Sequence, residues 1–479
     1  MTFPSILLEV LVLLLGIVLL LLESFADKVD RKWFAIIGIG GLAIVLILLQ
    51  LSVPSASGMA AYVSDAPALF FKKFVVLTTI VVLIMSIDYS GTIRRFVSGA
   101  TEQAGLGEFF AIPVLTCAGM MWMASAVDFI LIFVSLELVT ISFYVLVSYM
   151  RRNASSLEAG VKYLILGALS TGFFVYGVTW IYGVTKQTNL GEIAKALPAV
   201  SPQNHTALLF GTLLVLVGLG FKVAAAPFQF WVPDVYQGAP TPITAFLSVG
   251  SKAVGFIVLL RFVTALQAVP AIGEKVIAGL ILLAAATLLY GNLAALPQTN
   301  FKRLLAYSSI AHAGYILTAV AGITALDSSQ AVFVYLAAYL LMTLLSFLVL
   351  VIVATHSEGD DIVHFNGLAK RSPFLAFSLL VAMMSLAGVP LTAGFLGKFL
   401  VFKVAFESRL WLLIVLGIIT VGCGFYYYLK VVRAMYWQAP SGNATAIPVS
   451  KLTFVTITVL VVLTFAVGVF PAIALGLGQ

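Results

Sequence analysis

Residues 213–260 read LLVLVGLGFKVAAAPFQFWVPDVYQGAPTPITAFLSVGSKAVGFIVLL. Two apolar runs stand here, and a bilayer core takes about 20 apolar residues per helix. Each run carries a lysine inside it, Lys222 and Lys252. Between them Ala226-Pro227 breaks the first helix, because proline removes an amide donor and clashes with the preceding turn. Residues 228–237 read as a short amphipathic piece ahead of Gly238-Ala239-Pro240. Inside lipid the carbonyls freed by such a break need partners, so it survives where it faces protein or a wet cavity. A kink that only shapes packing is the alternative reading.

The rest of the chain repeats the apolar pattern. Candidate spans lie near 5–23, 33–52, 71–89, 108–126, 128–149, 160–183, 206–226, 240–262, 271–295, 303–322, 331–355, 374–405, 409–436 and 452–475, giving about fourteen transmembrane helices. Composition agrees: 62% of the 479 residues are hydrophobic, 9% are charged, and the mean hydropathy is +1.13. Soluble domains carry roughly 45–50% apolar and about 25% charged residues. The 26 Lys+Arg and 19 Asp+Glu cannot coat the surfaces of several soluble domains. The fold class is an all-α polytopic membrane protein. Its net charge of +7 reflects loop orientation, not nucleic-acid binding.

Several chemistries are excluded. Cys117 and Cys423 stand alone in apolar runs, with no zinc or iron–sulfur spacing. The GxGxxA pattern at 38–43 lies inside an apolar run with no strand before it, so its small residues serve helix packing. There is no P-loop. Sequons at Asn153, Asn204 and Asn443 carry no weight without a compartment. The first run is too long and too lightly flanked for a cleaved signal, and is expected to remain as a helix with Glu9 near one face.

Loop charges orient the spans. One set of connections holds Lys28, Arg31, Lys32, Arg94, Arg95, Arg151, Arg152, Lys302, Arg303, Lys370, Arg371, Arg433 and Lys451. The alternate set holds Lys72, Lys73, Lys186, Lys195, Arg261, Lys275 and Arg409. The first set is larger, which predicts that its side is cytoplasmic and that both termini lie on the non-cytoplasmic side. A second break, Gly388-Val389-Pro390-Leu391-Thr392-Ala393-Gly394, interrupts the twelfth span five spans after the first. Five-span repeats have an odd count, so spans 4–8 and 9–13 would be inverted copies, a recurring transporter plan. The expected divisions are 1–107, 108–262, 263–436 and 437–479.

Mid-span ionisable residues cost at least about 2.5–3.5 kcal/mol each on insertion scales, so they are the sharpest functional signal. Glu137 sits in FILIFVSLELVTISFYVL, Lys222 five residues before Pro227, and Lys252 in ITAFLSVGSKAVGFIVLL. Lys398 follows the second break, and His312 lies in LAYSSIAHAGYIL. Lys162 opens the sixth span, close enough to its end to snorkel, as is Lys403. His312 could instead be a neutral packing residue, and a buried Glu–Lys pair could be structural. Burial disfavours the charged forms and pairing favours them. Separating Glu137 from Lys222 would therefore release a proton and re-forming the pair would favour uptake. Lys252 then reads as a relay and Lys398 as the far terminus. The chain holds no energy source of its own, so a partner or an ion gradient must drive such movement.

These residues sit in stretches that resemble a known family. APFQFWVPDVYQGAPTPITAFLSVGSKAVGF (226–256) closely resembles the helix 7–8 signature of the N subunit of proton-pumping NADH-quinone oxidoreductase, respiratory complex I, and of its cyanobacterial and plastid counterparts. FKRLLAYSSIAHAGY (301–315), EAGVKYLILGALSTG (158–172) and PLTAGFLGKF (390–399) support it, and the resemblance covers nearly the whole chain. It implies a fourteen-helix core with two inverted five-helix repeats and broken helices 7 and 12. It implies proton translocation through Glu137 and Lys222 as a charged pair, Lys252 as central relay, Lys398 as terminal lysine, and Lys162 and His312 as accessories. Lys403 lies outside the matched motif and takes no family role. The M-type relative typically has a glutamate where Lys398 stands, and the L-type relative carries a long C-terminal lateral helix.

The resemblance also implies a subunit without its own cofactors. Flavin, iron–sulfur clusters, NADH and quinone would sit on partner subunits, and this chain would contact neighbouring antiporter-like and small membrane subunits, lipid and protons. The expected location is a bacterial inner membrane, with a thylakoid-type membrane as the alternative. A cation/proton antiporter subunit of the multisubunit Na+/H+ type shares the fold and the Glu–Lys pair and is the competing function.

Overall fold

The computed structural model describes residues 5–25, 30–54, 60–97, 106–357, 359–440 and 446–475; Lys28 and the Asn443 sequon lie outside them. The described residues are helical with only isolated β-bridges. In order they form α1 (Ser5–Phe25), α2 (Lys32–Gln50), α3 (Ala66–Phe96), α4 (Leu106–Ser125), α5 (Phe129–Val147), α6 (Ala154–Thr185), the short α7 (Leu190–Ala196), α8 (His205–Val223), α9 (Trp231–Gly238), α10 (Thr241–Phe246), α11 (Lys252–Leu266), α12 (Pro270–Ala295), α13 (Phe301–Ala321) and α14 (Ser328–Ser357). Then follow the one-turn α15 (Leu368–Arg371), α16 (Pro373–Ala387), α17 (Ala393–Glu407), α18 (Trp411–Trp437), α19 (Lys451–Val469) and α20 (Pro471–Leu475). Thirteen helices among the described residues are long and apolar enough to cross a membrane. The broken pair α16–α17 supplies the fourteenth crossing expected from the sequence.

The helices begin where polar side chains can cap them. Asp65 accepts from the Ala68 amide at 2.9 Å, Asp128 from Ile130 at 2.8 Å, and Asn300 from Arg303 at 3.0 Å. Each satisfies an amide that the first helical turn leaves without a partner. The sorting of helices follows their surroundings. The most apolar windows of α13 and of the α10–α11 segment are wholly buried by protein, and α14 is nearly so. Helices α1, α2, α6 and α19 turn apolar side chains such as Leu14, Ile44, Ile165 and Val462 outward. In water that surface would drive aggregation; in a bilayer it is the lipid face.

Both predicted breaks are present. Helix α8 ends at Val223, with Ala224 in the left-handed region (φ 64°), and α9 follows after a cis Ala226–Pro227 peptide. Helix α16 ends at Ala387, with Gly388 left-handed (φ 91°), and α17 resumes at Ala393. Glycine tolerates that conformation, whereas Ala224 adopts it inside fully buried surroundings. The polar groups freed at the breaks find protein partners. The Trp231 indole donates to the Phe221 carbonyl at 3.1 Å, the Ala226 amide to Thr287 at 2.9 Å, and the Gly394 amide to Ser385 at 3.1 Å. A third irregularity was not expected: a π-helical stretch, Leu247–Ser251, immediately precedes Lys252.

Several charges counted with the connections lie inside helices, buried Lys302 of α13 among them. Lys72 sits inside α3, fully buried against Glu9, and Arg261 sits inside α11, bound to Asp65 through both guanidinium NH groups at 2.8 and 2.9 Å. Neither anchors a free loop.

Candidate functional site: a mid-membrane row of lysines, histidine and hydroxyls

Helix α5 carries Glu137 half-buried, with Thr140 one turn further along. Glu137 accepts a hydrogen bond from Thr171 of α6 at 2.9 Å. Lys222, in the last turn of α8 before the first break, donates to Thr140 at 3.1 Å. Glu137 and Lys222 thus rest on two different threonines: among the described residues they make no direct ion pair, which corrects the contact expected from the sequence. A small cavity beside Lys222 is lined by both threonines, Ser170 and Phe221.

Lys252 begins α11 directly after the π-helical stretch and donates to the Ser309 carbonyl at 2.7 Å. Stretches of π-helix are rare and recur at functional sites, because the extra residue re-aims the side chains that follow. The Ser309 hydroxyl lies 3.5 Å from the Tyr236 hydroxyl, and Ser248 shares a hydrogen bond with Tyr339 at 2.8 Å. The Lys252 ammonium also lies 5.9 Å from the Tyr339 ring centroid.

His312 occupies the middle of the second half. Its Nδ1 lies 2.7 Å from the Tyr335 hydroxyl and its Nε2 3.1 Å from the Tyr428 hydroxyl, which in turn bonds Ser308. Both ring nitrogens are therefore engaged by tyrosine hydroxyls. Its ring is 5.3 Å from Tyr339 and 6.2 Å from Tyr315. Lys398 lies 5.1 Å over that same Tyr315 ring, so His312 shares an aromatic neighbour with each lysine.

Lys398 reaches back across the second break and donates to the carbonyls of Leu386 and Ala387, at 2.9 and 2.8 Å. A cation at a helix C-terminus satisfies unpaired carbonyls and the negative end of the helix dipole together. Among the described residues Lys222, Lys252 and Lys398 have no carboxylate within ion-pair distance. Each is held by hydroxyls, carbonyl oxygens or ring faces. The two breaks differ in one respect: Lys222 precedes its break, whereas Lys398 follows.

Lys162 is not brought to this row. It binds Glu158 and Asp234, each at 2.7 Å, with its side chain 41% exposed. Asp234 also receives Arg303 at 2.8 Å. Burial alone would raise the Asp234 carboxyl, but the hydrogen bonds from Lys162 and Arg303 prevail and hold it below the ordinary carboxylate range. Glu158, Lys162 and Asp234 line an open polar vestibule with Arg95, Lys302 and Asp360. At its floor buried Lys302 donates to the carbonyls of Gln237 and Ala239, at 3.0 and 2.8 Å. Lys403 is peripheral too, paired with Asp327 at 2.6 Å on an exposed surface. No group of three or more His, Cys, Asp or Glu capable of holding a metal occurs among the described residues.

The sequence reading missed the hydroxyls: Thr140, Thr171, Ser309, Tyr236, Tyr335, Tyr339 and Tyr428. A signal existed. Thr140 lies one turn from Glu137, Tyr335 and Tyr339 are one turn apart, and Ser308, Ser309, His312 and Tyr315 recur at helical spacing.

Comparison with known proteins adds lineage to this geometry. A family described as NADH:quinone oxidoreductase/Mrp antiporter, transmembrane, matches residues 126–424. NADH-quinone oxidoreductase subunit N of Trichlorobacter lovleyi is 41% identical over 90% of this chain and 86% of its own. Subunit N of Desulforamulus reducens is 37% identical over 98% of this chain and 96% of its own. A chain of respiratory complex I from Thermus thermophilus, solved with bound aureothin, superposes with a TM-score of 0.82 at 33% identity, covering 98% of each chain.

Proposed function

The chain belongs to the NADH:quinone oxidoreductase/Mrp antiporter transmembrane family, and from that premise we propose the route by which it moves protons. It is a proton-translocating, antiporter-like membrane subunit of an NADH-quinone oxidoreductase, itself without a redox role. In our reading Glu137 and Lys222 form the switch of the first half, Lys252 the relay and Lys398 the terminus of the second half, with His312 between the last two. Lys162 acts from the vestibule, where it sets the Asp234–Arg303 cluster, and not as a carrier in the row.

The observation that carries this route is the series of buried lysines without carboxylate partners, each held by groups that can pass or accept a hydrogen bond. An ammonium bound to a carbonyl or hydroxyl can lose its proton without stranding a buried counter-ion. Approach of Glu137 to Lys222 favours both charges; their separation favours release. Moving one charge against 100 mV costs about 2.3 kcal/mol. That work comes from quinone reduction on partner subunits, which would hold the flavin, iron–sulfur clusters, NADH and quinone.

The vestibule face, richer in loop lysine and arginine, is assigned to the cytoplasm, and the first and last crossings then begin and end on the non-cytoplasmic side. The membrane is a bacterial inner membrane, and the contacts are neighbouring antiporter-like and small membrane subunits. The divisions 108–262 and 263–436 correspond to the two repeats. Identity to subunit-N relatives favours this reading over a free-standing cation/proton antiporter subunit. The test uses the whole oxidoreductase in proteoliposomes: Lys222→Ala or Lys252→Ala should abolish or sharply lower proton uptake coupled to quinone reduction. Parental pumping in either variant would sink the assigned route.

A further inference from the structure

A second group of buried charges lies outside the row. Glu9 of α1 and Lys72 of α3 pair at 2.8 Å with both side chains fully shielded. The Tyr62 hydroxyl sits between them, 2.9 and 3.1 Å from the two Glu9 oxygens, and accepts from Lys72 at 2.8 Å. Burying two ions costs several kcal/mol apiece before pairing. Apolar packing already holds α1 in the bundle, since it packs chiefly on α4 and α2 and buries Leu8, Val12 and Leu19.

Tyr62 also lines an open cleft with Asp65, Asn189, Arg261 and Phe333. This cleft and the vestibule open at opposite ends of one helix. Asp65 and Pro67 at the start of α3 border the cleft, whereas Tyr89, Thr92 and Arg95 near its end border the vestibule. From Pro67 to Tyr89 at about 1.5 Å per residue, α3 separates the nearer edges of the two openings by about 33 Å. The hydroxyl of Tyr62 thus joins a sealed Glu–Lys pair to the wall of the opening on the far face.

Two links connect this group to the mid-membrane row. Arg261, bound to Asp65, lies on α11, the helix that begins with Lys252. Phe333 of α14 stacks on Phe70 of α3 at 5.2 Å beside the cleft. Two residues further along α14, Tyr335 bonds His312. A shift of α14 therefore acts on both places.

We infer that Glu9, Lys72 and Tyr62 form a second proton-exchange site, separate from the central row, serving the face opposite the vestibule. The inference rests on the proton-translocating reading given above. A proton arriving from the cleft binds the Tyr62 oxygen as the Tyr62 hydrogen passes to Glu9. The carboxylate becomes the neutral acid and its hold on Lys72 is lost; the reverse sequence returns the proton. Only O–H bonds form and break. Asp65 and Arg261 are the neighbouring charges, and their mutual pairing keeps the cleft wall near neutral.

The experiment uses the complete oxidoreductase in proteoliposomes, with Tyr62→Phe, Glu9→Gln and the doubly neutral Glu9→Gln/Lys72→Met, and with Lys222→Ala as reference. The proton-to-electron ratio is read beside the redox-induced infrared difference spectrum. The expected result is a lowered ratio in Tyr62→Phe and in the double variant at preserved electron transfer, with loss of a carboxylic C=O band in Glu9→Gln. If the pair were only a structural pin, Tyr62→Phe and the double variant would pump at the parental ratio with the spectrum unchanged. That outcome alongside impaired Lys222→Ala overturns this inference alone; parental pumping in Lys222→Ala overturns the assigned route itself. Should Glu9→Gln fail to assemble, the other two variants decide.

Discussion

Lys398 donates to the Leu386 carbonyl across the break in the twelfth crossing, at 2.9 Å, so a residue after the interruption closes the helix that precedes it. This contact depends on Gly388. A Cβ built there would come within 2.8 Å of the Lys398 Cδ, on a residue already at φ 91°. Gly388→Ala should therefore cost roughly 1–2 kcal/mol for the left-handed conformation and push Lys398 off its carbonyls. The measurements are thermal stability of the purified complex and proton uptake in vesicles. Gly422→Ala, where a Cβ meets nothing within 4 Å, is the control expected to be silent. Equal behaviour of the two variants would contradict the proposed coupling.

His312 holds two tyrosine hydroxyls, and its removal strands that of Tyr335, whereas Tyr428 keeps its bond to Ser308. His312→Ala should destabilise by about 1–3 kcal/mol for the buried hydroxyl left without a partner. His312→Gln should recover part of that stability, since an amide can bond both hydroxyls. If His312 also mediates between Lys252 and Lys398, His312→Gln will remain poor at pumping despite recovered stability. Recovery of both properties together would reduce His312 to a packing role.

The architecture was legible in the sequence because a bilayer imposes a length and a polarity on every crossing. Both breaks were legible too, since proline and glycine act locally. Contacts between helices were not. Lys72 appears near the start of its span and reads as a loop charge, because α3 begins several residues earlier than its apolar run and Glu9 lies on another helix. Glu137 and Lys222 read as a direct pair because charge alone attracts notice, while Thr140 and Thr171 look unremarkable until the helices are placed side by side. The π-helical stretch before Lys252 has no proline or paired glycines to announce it.

Asp234 gives a pH prediction with a definite sign. Lys162 and Arg303 depress its folded-state carboxyl, so its contribution to stability is present above the ordinary carboxylate pKa of about 3.9 and is lost as pH falls through the lower folded value. Because the side chain is 35% exposed, solvent screening limits the effect to about 1 kcal/mol or less. Asp234→Asn should therefore lower the melting temperature slightly and by the same amount from pH 8 to pH 5. A penalty that vanishes already at pH 6 would contradict the assigned pairing.

The two threonines that hold Lys222 and Glu137 are open to a double-mutant cycle. Thr140→Val and Thr171→Val keep shape while each removes one hydrogen bond to an ionisable group, an interaction worth about 1.5–3 kcal/mol when that group is charged. If the two hydroxyls merely fix local side chains, their effects on pumping should add, since they touch different partners. If they jointly set the path along which Glu137 and Lys222 approach, one substitution already breaks it and the second adds little. We expect the second result, with each single variant pumping less than the parent and the double variant close to the worse single. Proton uptake per electron, measured on all four proteins in the same vesicles, decides between strict additivity and this saturation. Strict additivity would leave Glu137 and Lys222 as independent sites.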